Sequence, residues 1–254
     1  MSSPLVNIEY EGTIARVRMN REDKRNALNV ALIEQLNEAA HELGKRRDVK
    51  VILLCGTPKC FSAGADLNDP LQFDPALTLA DKRHYALLGA NTALAWEQLP
   101  QLTVAAVERY AIGGGLGLAL ACDFRVAGRS AFLWVPEVQI GANYGWNTVP
   151  RLISLVGPAR ARRMILLAQR IQAPQALDWG LVDEVVDDGS TEAKAMELAQ
   201  ALDAMPSMAL AVSKRAINAV AGALTQISSH GDMEQVLLCF NDWSREKTGH
   251  KGNP

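Results

Sequence analysis

The feature that most constrains the fold is a regular alternation of strand-length apolar runs with helical apolar periods over the first ~155 residues. Strand-length runs lie at 49–54, 103–107 and 124–127, and apolar residues spaced as on one helix face lie at 30–43 and 80–98. Because each helix must bury its apolar stripe against another layer, strands that alternate with helices build an α/β core. The sequence therefore predicts an α/β fold for this part of the chain.

The last ~100 residues are predicted to be mostly helical. A short strand is expected at 181–186, and the helical patterns lie at 158–169, 174–179, 192–205, 208–223 and 233–246. Two features of the first part complete the prediction. Residues 8–18 are expected to form a hairpin of two short strands, and residues 68–79, with two prolines and no clear period, are expected to form a mobile loop.

The charge balance and the apolar pattern exclude several functional classes. The 254 residues carry 26 Lys and Arg against 28 Asp and Glu, which gives a formal net charge of −2. This balance argues against a general nucleic-acid binder, which usually carries a basic face. No apolar run reaches the ~18 residues that a membrane-spanning helix needs, and the first residues do not have the pattern of a secretory signal. We therefore predict a cytoplasmic protein that binds neither membranes nor nucleic acid.

Several common chemical motifs are missing from the sequence. The four cysteines and four histidines have no metal-ligand spacing, so no metal is expected and the cysteines are predicted to be reduced and structural. The sequence has no P-loop, and Leu118 stands where a dinucleotide fingerprint would have its last glycine. It also lacks the nucleophile elbow of serine hydrolases.

Two glycine-containing junctions each follow a predicted strand, at residues 60–67 and 112–117. Small residues let a ligand approach the backbone closely, and the first amides of a helix have no partner within the helix. Two such amides that converge on one oxygen would form an oxyanion hole. Alternatively, these glycines only permit tight turns and close packing.

The carboxylate of Glu137 is the best candidate for acid–base chemistry. It follows the apolar stretch 131–135 and precedes Val138 and Ile140. A carboxylate that such surroundings desolvate has a raised pKa and can carry protons near neutral pH. Alternatively, a glutamate after a proline is an ordinary residue at the start of a helix.

Taken together, these segments resemble the enoyl-CoA hydratase/isomerase (crotonase) family. Five segments occur in the order and spacing of that family: residues 23–28, 61–67, 112–116, 136–141 and 176–186. The resemblance implies an α/β, crotonase-like (ClpP/crotonase) fold, a spiral of ββα units over residues 1–195 with a helical trimerisation region over 196–254. It also implies a homotrimer or a dimer of trimers that acts on an acyl-CoA thioester. No cofactor is expected, since CoA arrives as part of the substrate.

The resemblance also assigns roles to individual residues. The amides of Ala65 and Gly114 are similar to the pair that holds the thioester oxygen as an enolate forms, and Glu137 is the expected acid and base. We assign nine residues to the path of the acyl group and CoA: Lys24, Arg25, Ala27, Ala63, Asp66, Leu67, Gly113, Trp134 and Tyr144. Lys24 and Arg25 would contact phosphates, unless they only form a solvated turn.

The sequence departs from the family pattern at positions that bear on the reaction. Gly117 stands where the hydratases have a first catalytic glutamate, so only Glu137 remains and isomerisation of an enoyl-CoA is favoured over hydration. Trp134 replaces a small residue, and residues 144–147 replace a Pro-Gly-x-Gly stretch, which would narrow the acyl pocket unless Trp134 and Trp146 are simply core residues.

Other activities stay open at this point. They are hydration, a hydratase-lyase reaction, acyl-CoA decarboxylation with Tyr144, and binding of acyl-CoA with little catalysis. Gly145, at the position of the dehalogenase nucleophile, disfavours dehalogenation.

Overall fold

The computed structural model describes residues 4–74, 76–223 and 235–239, and within these ranges strands alternate with helices along most of the chain. The strands are β1 (Val6–Glu11), β2 (Ile14–Met19), β3 (Val51–Cys55), β4 (Leu102–Val107), β5 (Tyr110–Ile112), β6 (Phe124–Gly128), β7 (Phe132–Trp134), β8 (Ile171–Gln172) and β9 (Glu184–Val186). The helices are α1 (Val30–Leu43), α2 (Pro70–Phe73), α3 (Leu79–Glu97), α4 (Gly114–Ala121), α5 (Thr148–Leu166), α6 (Ala173–Asp178), α7 (Thr191–Asp203) and α8 (Ser207–Ala221). Glu22–Lys24 and Glu137–Ile140 are short 3-10 helices, and residues 235–239 are helical.

The strands form two sheets. The main sheet has six strands in the order β1-β2-β3-β4-β6-β9, and the small sheet has the order β5-β7-β8. β1 and β2 are antiparallel, whereas the remaining neighbours of the main sheet are parallel. The series β1-β2-α1, β4-β5-α4 and β6-β7-α5 repeats a strand–strand–helix unit. The α/β prediction is therefore confirmed.

The central strands of the main sheet are buried on both faces. All five residues of β3 are buried, and they alternate between two apolar clusters. Ile52 and Leu54 pack with residues of α1, α3 and α4, while Val51 and Leu53 pack with Ala195 and other residues of α7. Burial on two faces explains why this strand is a continuous apolar run rather than an alternating one.

Helix α1 illustrates how local sequence sets an element. Its start is capped by Asn29, whose side chain accepts a hydrogen bond from the amide of Leu32. The apolar face predicted for this helix is buried, and its members are Leu32, Ile33, Leu36, Ala39, Ala40 and Leu43. Helices α3, α7 and α8 also lie within a few residues of their predicted positions.

Three predictions of local structure need correction. The loop predicted over 68–79 contains helix α2, because Asp69 caps the segment and Pro70 occupies its first turn. The helix predicted to begin at Pro158 is the second part of α5, which begins at Thr148 and is interrupted at Gly157, where φ is +76°. The strand predicted over 181–186 is limited to β9.

The small sheet was not predicted, because its three strands are only two or three residues long. The domain boundary predicted at residue 195 falls inside α7, and most of the helix predicted over 233–246 lies outside the described residues. No helix in the described ranges is long and apolar enough to cross a membrane.

Candidate active site

Two backbone turns are pressed together at the ends of β3 and β4. Ser62 pairs with Ala111 in an isolated parallel bridge, and the amide of Ile112 donates to Ser62 O at 3.1 Å. A methyl group built on Gly64, which has φ +85°, would lie 2.8 Å from Ile112 O. A methyl group on Gly115 would lie 2.6 Å from Ser62 Cβ. The two turns approach this closely only because both positions are glycine.

The turns that carry Ala65 and Gly114 both contact Leu28. The amide of Leu28 donates to Gly64 O at 2.7 Å, and Leu28 O accepts from the amide of Asp66 at 3.1 Å. In such a parallel bridge the amide of the middle residue, Ala65, points away from Leu28. Gly114 is the first residue of α4, and a methyl group built on it would lie 3.3 Å from Leu28 Cδ1.

Both amides are available to a ligand. Within the described ranges neither Ala65 nor Gly114 donates its backbone N–H to another residue. Ala65 is exposed and Gly114 is partly exposed. The Gly114 amide also lies at the positive end of the α4 dipole. Each of the two amides is therefore free to donate a hydrogen bond to an oxygen atom of a ligand.

The carboxyl group of Glu137 lies beside the same turn. Glu137 begins the 3-10 helix that follows Pro136, and its Oε1 is against Gly113, whose φ is +49°. Its Oε2 is buried and has no hydrogen-bond partner among the described residues. Burial raises the pKa of Glu137 from 4.5 to about 7. Such a carboxyl group can take up and release a proton near neutral pH.

Tyr144 is hydrogen-bonded to the turn at Gly113. Its hydroxyl donates to Gly113 O at 3.2 Å, and the amide of Gly117 donates to the same oxygen at 2.9 Å. Only 3% of Tyr144 is exposed. Burial, together with the charge of Glu137, raises the pKa of Tyr144 well above its usual value, so the hydroxyl stays protonated. Tyr144 therefore acts here as a hydrogen-bond donor that fixes Gly113.

The space beside Gly117 is filled by a tryptophan and a threonine. A methyl group built on Gly117 would lie 3.2 Å from Thr148 Oγ1 and 3.6 Å from Trp146 Cε3. The same indole lies over Gly114, where a built methyl group would be 3.1 Å from Trp146 Cζ3. Trp146 was not among the predicted site residues. A possible signal was Gly89, an isolated glycine inside a helical pattern, which suggests close packing of a bulky group.

The segments predicted to line the CoA path lie side by side. The amide of Ala63 donates to Arg25 O at 3.0 Å, which joins the two segments. The carboxylate of Asp66 forms an ion pair with Arg21 at 2.7 Å, so it fixes the turn that carries Ala65. Burial raises the pKa of Asp66, but the hydrogen bond from Arg21 lowers it. The net effect is a pKa below the usual value. The remaining members are exposed or partly exposed: Lys24, Ala27 and Leu67.

Trp134 contacts the turn through its backbone. The amide of Gly113 donates to Trp134 O at 2.9 Å. The indole N–H donates to Ala168 O at 2.8 Å, and the guanidinium of Arg170 stacks 4.2 Å from the ring centre. The indole of Trp134 is thus bonded to Ala168 O, and the indole that lies against Gly114 is that of Trp146.

Other reactive groups are absent from the described part of the chain. No cluster of three or more His, Cys, Asp or Glu side chains there could hold a metal ion. Cys55 and Cys122 are buried free thiols, and burial raises the pKa of each to about 12, so neither is a reactive thiolate.

Comparison with known proteins relates this geometry to a family. A family model described as "Enoyl-CoA hydratase/isomerase" matches residues 9–249. A short-chain-enoyl-CoA hydratase from Clostridium acetobutylicum is 34% identical over 214 residues, which cover 84% of this chain and 80% of the relative. A 2,3-dehydroadipyl-CoA hydratase from Escherichia coli is 36% identical over 213 residues, which cover 83% and 80%.

Comparison of the fold with solved structures leads to the same family. The crystal structure of an enoyl-CoA hydratase from Mycobacterium avium subsp. paratuberculosis matches with a TM-score of 0.84 and 26% identity, over 98% of both chains. The expected resemblance and the crotonase-like fold are both confirmed. Proteins of this family act on acyl-CoA thioesters. The chain belongs to the enoyl-CoA hydratase/isomerase family.

Proposed function

We propose that this chain isomerises the double bond of an enoyl-CoA with a single carboxylate. Glu137 takes a proton from C2 of a 3-enoyl-CoA, the electrons move into a dienolate, and Glu137 returns the proton to C4. The product is the conjugated 2-enoyl-CoA, with no atom gained or lost. The observation that carries this proposal is a buried carboxyl group, with a pKa of about 7, that lies against Gly113, the residue before the free amide of Gly114.

The amides of Ala65 and Gly114 would make the first step feasible. Removal of a proton next to a thioester places negative charge on the thioester oxygen, which is unfavourable in water. One preorganised donor of an oxyanion hole contributes about 3 kcal/mol to stabilisation of such a charge. The glycine turns fix both donors before the substrate arrives, so little reorganisation accompanies the reaction.

Lys24 and Arg25 would bind the phosphates of CoA. Both are exposed, and the turn that carries them is bonded to the turn that carries Ala65. Binding of the remote CoA group would then place the thioester on the amides. Asp66 would contribute by holding this turn through Arg21.

Hydration of a 2-enoyl-CoA is the second candidate. The names of the relatives from Clostridium acetobutylicum and Escherichia coli, both hydratases, favour it. Glu137 would then have to position and activate water alone, because Gly117 offers no second carboxylate. Decarboxylation with Tyr144 has less support, since that hydroxyl is bonded to Gly113 O.

We also expect the chain to form a homotrimer or a dimer of trimers. Helix α8 exposes Met208, Val212, Ile217 and Val220, which is a large apolar surface for one helix. Self-association would remove it from water. Light scattering with size-exclusion chromatography of the full chain tests this expectation, and a monomer at micromolar concentration would contradict it.

The activity is tested with 3-hexenoyl-CoA and, separately, crotonyl-CoA. Isomerisation raises the absorbance of the conjugated thioester without a change of mass, whereas hydration of crotonyl-CoA lowers the absorbance and adds one water. We expect the first result, and its loss in Glu137→Gln. Hydration as the main activity would show that the second candidate is correct.

A further inference from the structure

The indole of Trp146 lies between helices α3 and α4, next to the turn that carries Gly113 and Gly114. A methyl group built on Gly89 of α3 would overlap the indole, so this position in the helix has room only for glycine. On the side of α4, methyl groups built on Gly114 and Gly117 would lie 3.0 Å from Cη2 and 3.6 Å from Cε3 of the same ring. Three glycines from two helices thus form a slot for one tryptophan.

The backbone holds this tryptophan in a conformation that is unfavourable for its type. Trp146 and Asn147 have φ values of +62° and +55°, in the left-handed region. For a bulky residue such as tryptophan this conformation is strained and persists only where other contacts fix it. Here Arg151 Nη1 donates to Trp146 O at 2.8 Å. Arg151 is itself held by Glu97 through two hydrogen bonds, of 3.0 and 2.9 Å.

We propose that Trp146 is the specificity-determining residue of this site, because its indole excludes the water that hydration would add to the acyl group. The inference rests on the proposed binding of an enoyl thioester to Ala65 and Gly114. An indole against Gly114 and Gly117 leaves no room for an ordered water on that side of the thioester. In the proposed site, Glu137 then exchanges the proton with the bound dienolate.

The test measures the rate of hydration of crotonyl-CoA, by mass, in the parent and in variants of the slot. Trp146→Gly removes the indole and also suits the positive φ, so the fold should be retained. Trp146→Gly combined with Gly117→Glu places a second carboxylate in the vacated space. Gly89→Ala presses the indole towards Gly114 and Gly117 without removing it. Trp179→Gly is the matched control, a tryptophan whose ring lies 5.3 Å from the guanidinium of Arg160.

We expect hydration by Trp146→Gly, or by the double variant, to exceed that of the parent at least about tenfold, the scale on which a pocket contact changes discrimination. Gly89→Ala, which keeps the indole against Gly114 and Gly117, and Trp179→Gly should not raise hydration. Unchanged hydration in every folded variant that lacks the indole, as judged by thermal unfolding, would overturn the inference. If Trp146→Gly does not fold, Trp146→Asn decides, because asparagine also tolerates a positive φ.

This outcome is distinct from failure of the proposed function. Isomerisation of 3-hexenoyl-CoA by the parent tests the proposed function alone. Hydration that rises in the variants that lack the indole, with no isomerisation by the parent, would support the role of Trp146 and reject the isomerase. The reverse pattern would support the isomerase and reject the role of Trp146.

Discussion

The carboxyl group of Glu137 lies directly against Gly113, and a methyl group built on Gly113 would overlap Glu137 Oε1. Gly113 precedes Gly114, the proposed oxyanion donor, and its carbonyl oxygen accepts a hydrogen bond from Tyr144. One glycine therefore sets the distance between the proposed base and the proposed oxyanion amide. A side chain at this position would separate them.

This contact predicts that Gly113→Ala lowers kcat/KM about a hundredfold, the effect expected when a reacting group is displaced by about 1 Å. Gly12→Ala is the matched control, because Gly12 also has a positive φ, +59°, but nothing lies within 4 Å of the added methyl group. Gly12→Ala should lose about 1–2 kcal/mol of stability from the strained φ. Gly113→Ala should lose more, because its ψ of −120° lies outside the left-handed region and its methyl group meets Glu137 Oε1. Equal activity in the two variants would contradict the account.

The raised pKa of Glu137 predicts the pH dependence of isomerisation. The base must be deprotonated in the free enzyme, so kcat/KM should rise with pH and level off above an inflection near pH 7. The measurement is the initial rate at low concentrations of 3-hexenoyl-CoA between pH 5 and 9. An inflection near 4.5 would show that Glu137 is solvated or is not the base.

The same pKa predicts how Glu137→Gln changes stability with pH. Because the folded pKa, about 7, lies above the ordinary 4.5, ionisation destabilises the folded parent. Below pH 4.5 the carboxyl group is protonated in both the folded and the unfolded parent, so its ionisation adds no difference in stability between parent and variant. As the pH rises to 7, the variant should gain up to about 3 kcal/mol relative to the parent, and keep that gain above pH 7. Denaturant unfolding at pH 5 and pH 8 measures the change, and a difference that does not depend on pH would contradict burial of this carboxylate.

The ion pair of Arg151 with Glu97 is predicted to support the backbone at Trp146. The side chain of Arg151 is only 3% exposed and that of Glu97 is 28% exposed. Arg151→Ala should therefore cost about 3 kcal/mol, as for other buried pairs that lose one partner. The pair of Arg129 with Asp187, with 64% and 83% exposure, is the control, and Arg129→Ala should cost less than about 1 kcal/mol. A similar loss of stability in both variants would argue against this role of Arg151.

Tyr144→Phe is predicted to have a small effect. Gly113 O keeps the hydrogen bond from the amide of Gly117, so the loss of one neutral hydrogen bond should cost about 1 kcal/mol of stability. Isomerase activity should fall less than about tenfold, because Tyr144 holds the turn and does not carry the proton. A loss as large as that of Glu137→Gln would assign the chemistry to Tyr144 and favour decarboxylation.

Much of the fold could be predicted because its helices and strands have strong apolar periods. The buried face of α1 and the continuous run of β3 follow directly from their residue spacing. The segment at 68–79 was harder, since α2 is one short turn set by Asp69 and Pro70. The small sheet was missed because two or three residues do not define an alternating pattern.

The candidate site also has parts that the sequence predicts and a part that it does not. The turns of Ala65 and Gly114 and the carboxylate of Glu137 could be proposed because their residue types and spacing resemble a family. Trp146 could not be placed in this way, since its position depends on Gly89, 57 positions earlier in the chain, and on a left-handed backbone that Arg151 supports. Such a slot depends on tertiary packing, and in the sequence the isolated Gly89 indicates close packing without identifying its partner.

The most direct test of the single-carboxylate mechanism follows one hydrogen atom. We would incubate 3-hexenoyl-CoA carrying deuterium at C2 with the parent and with Glu137→Gln, and locate the deuterium in the 2-hexenoyl-CoA formed in the first turnovers. The account predicts deuterium at C4 in the product of the parent and no product from the variant. Deuterium absent from C4 in the first turnovers, or equal product from Glu137→Gln, would contradict transfer by Glu137.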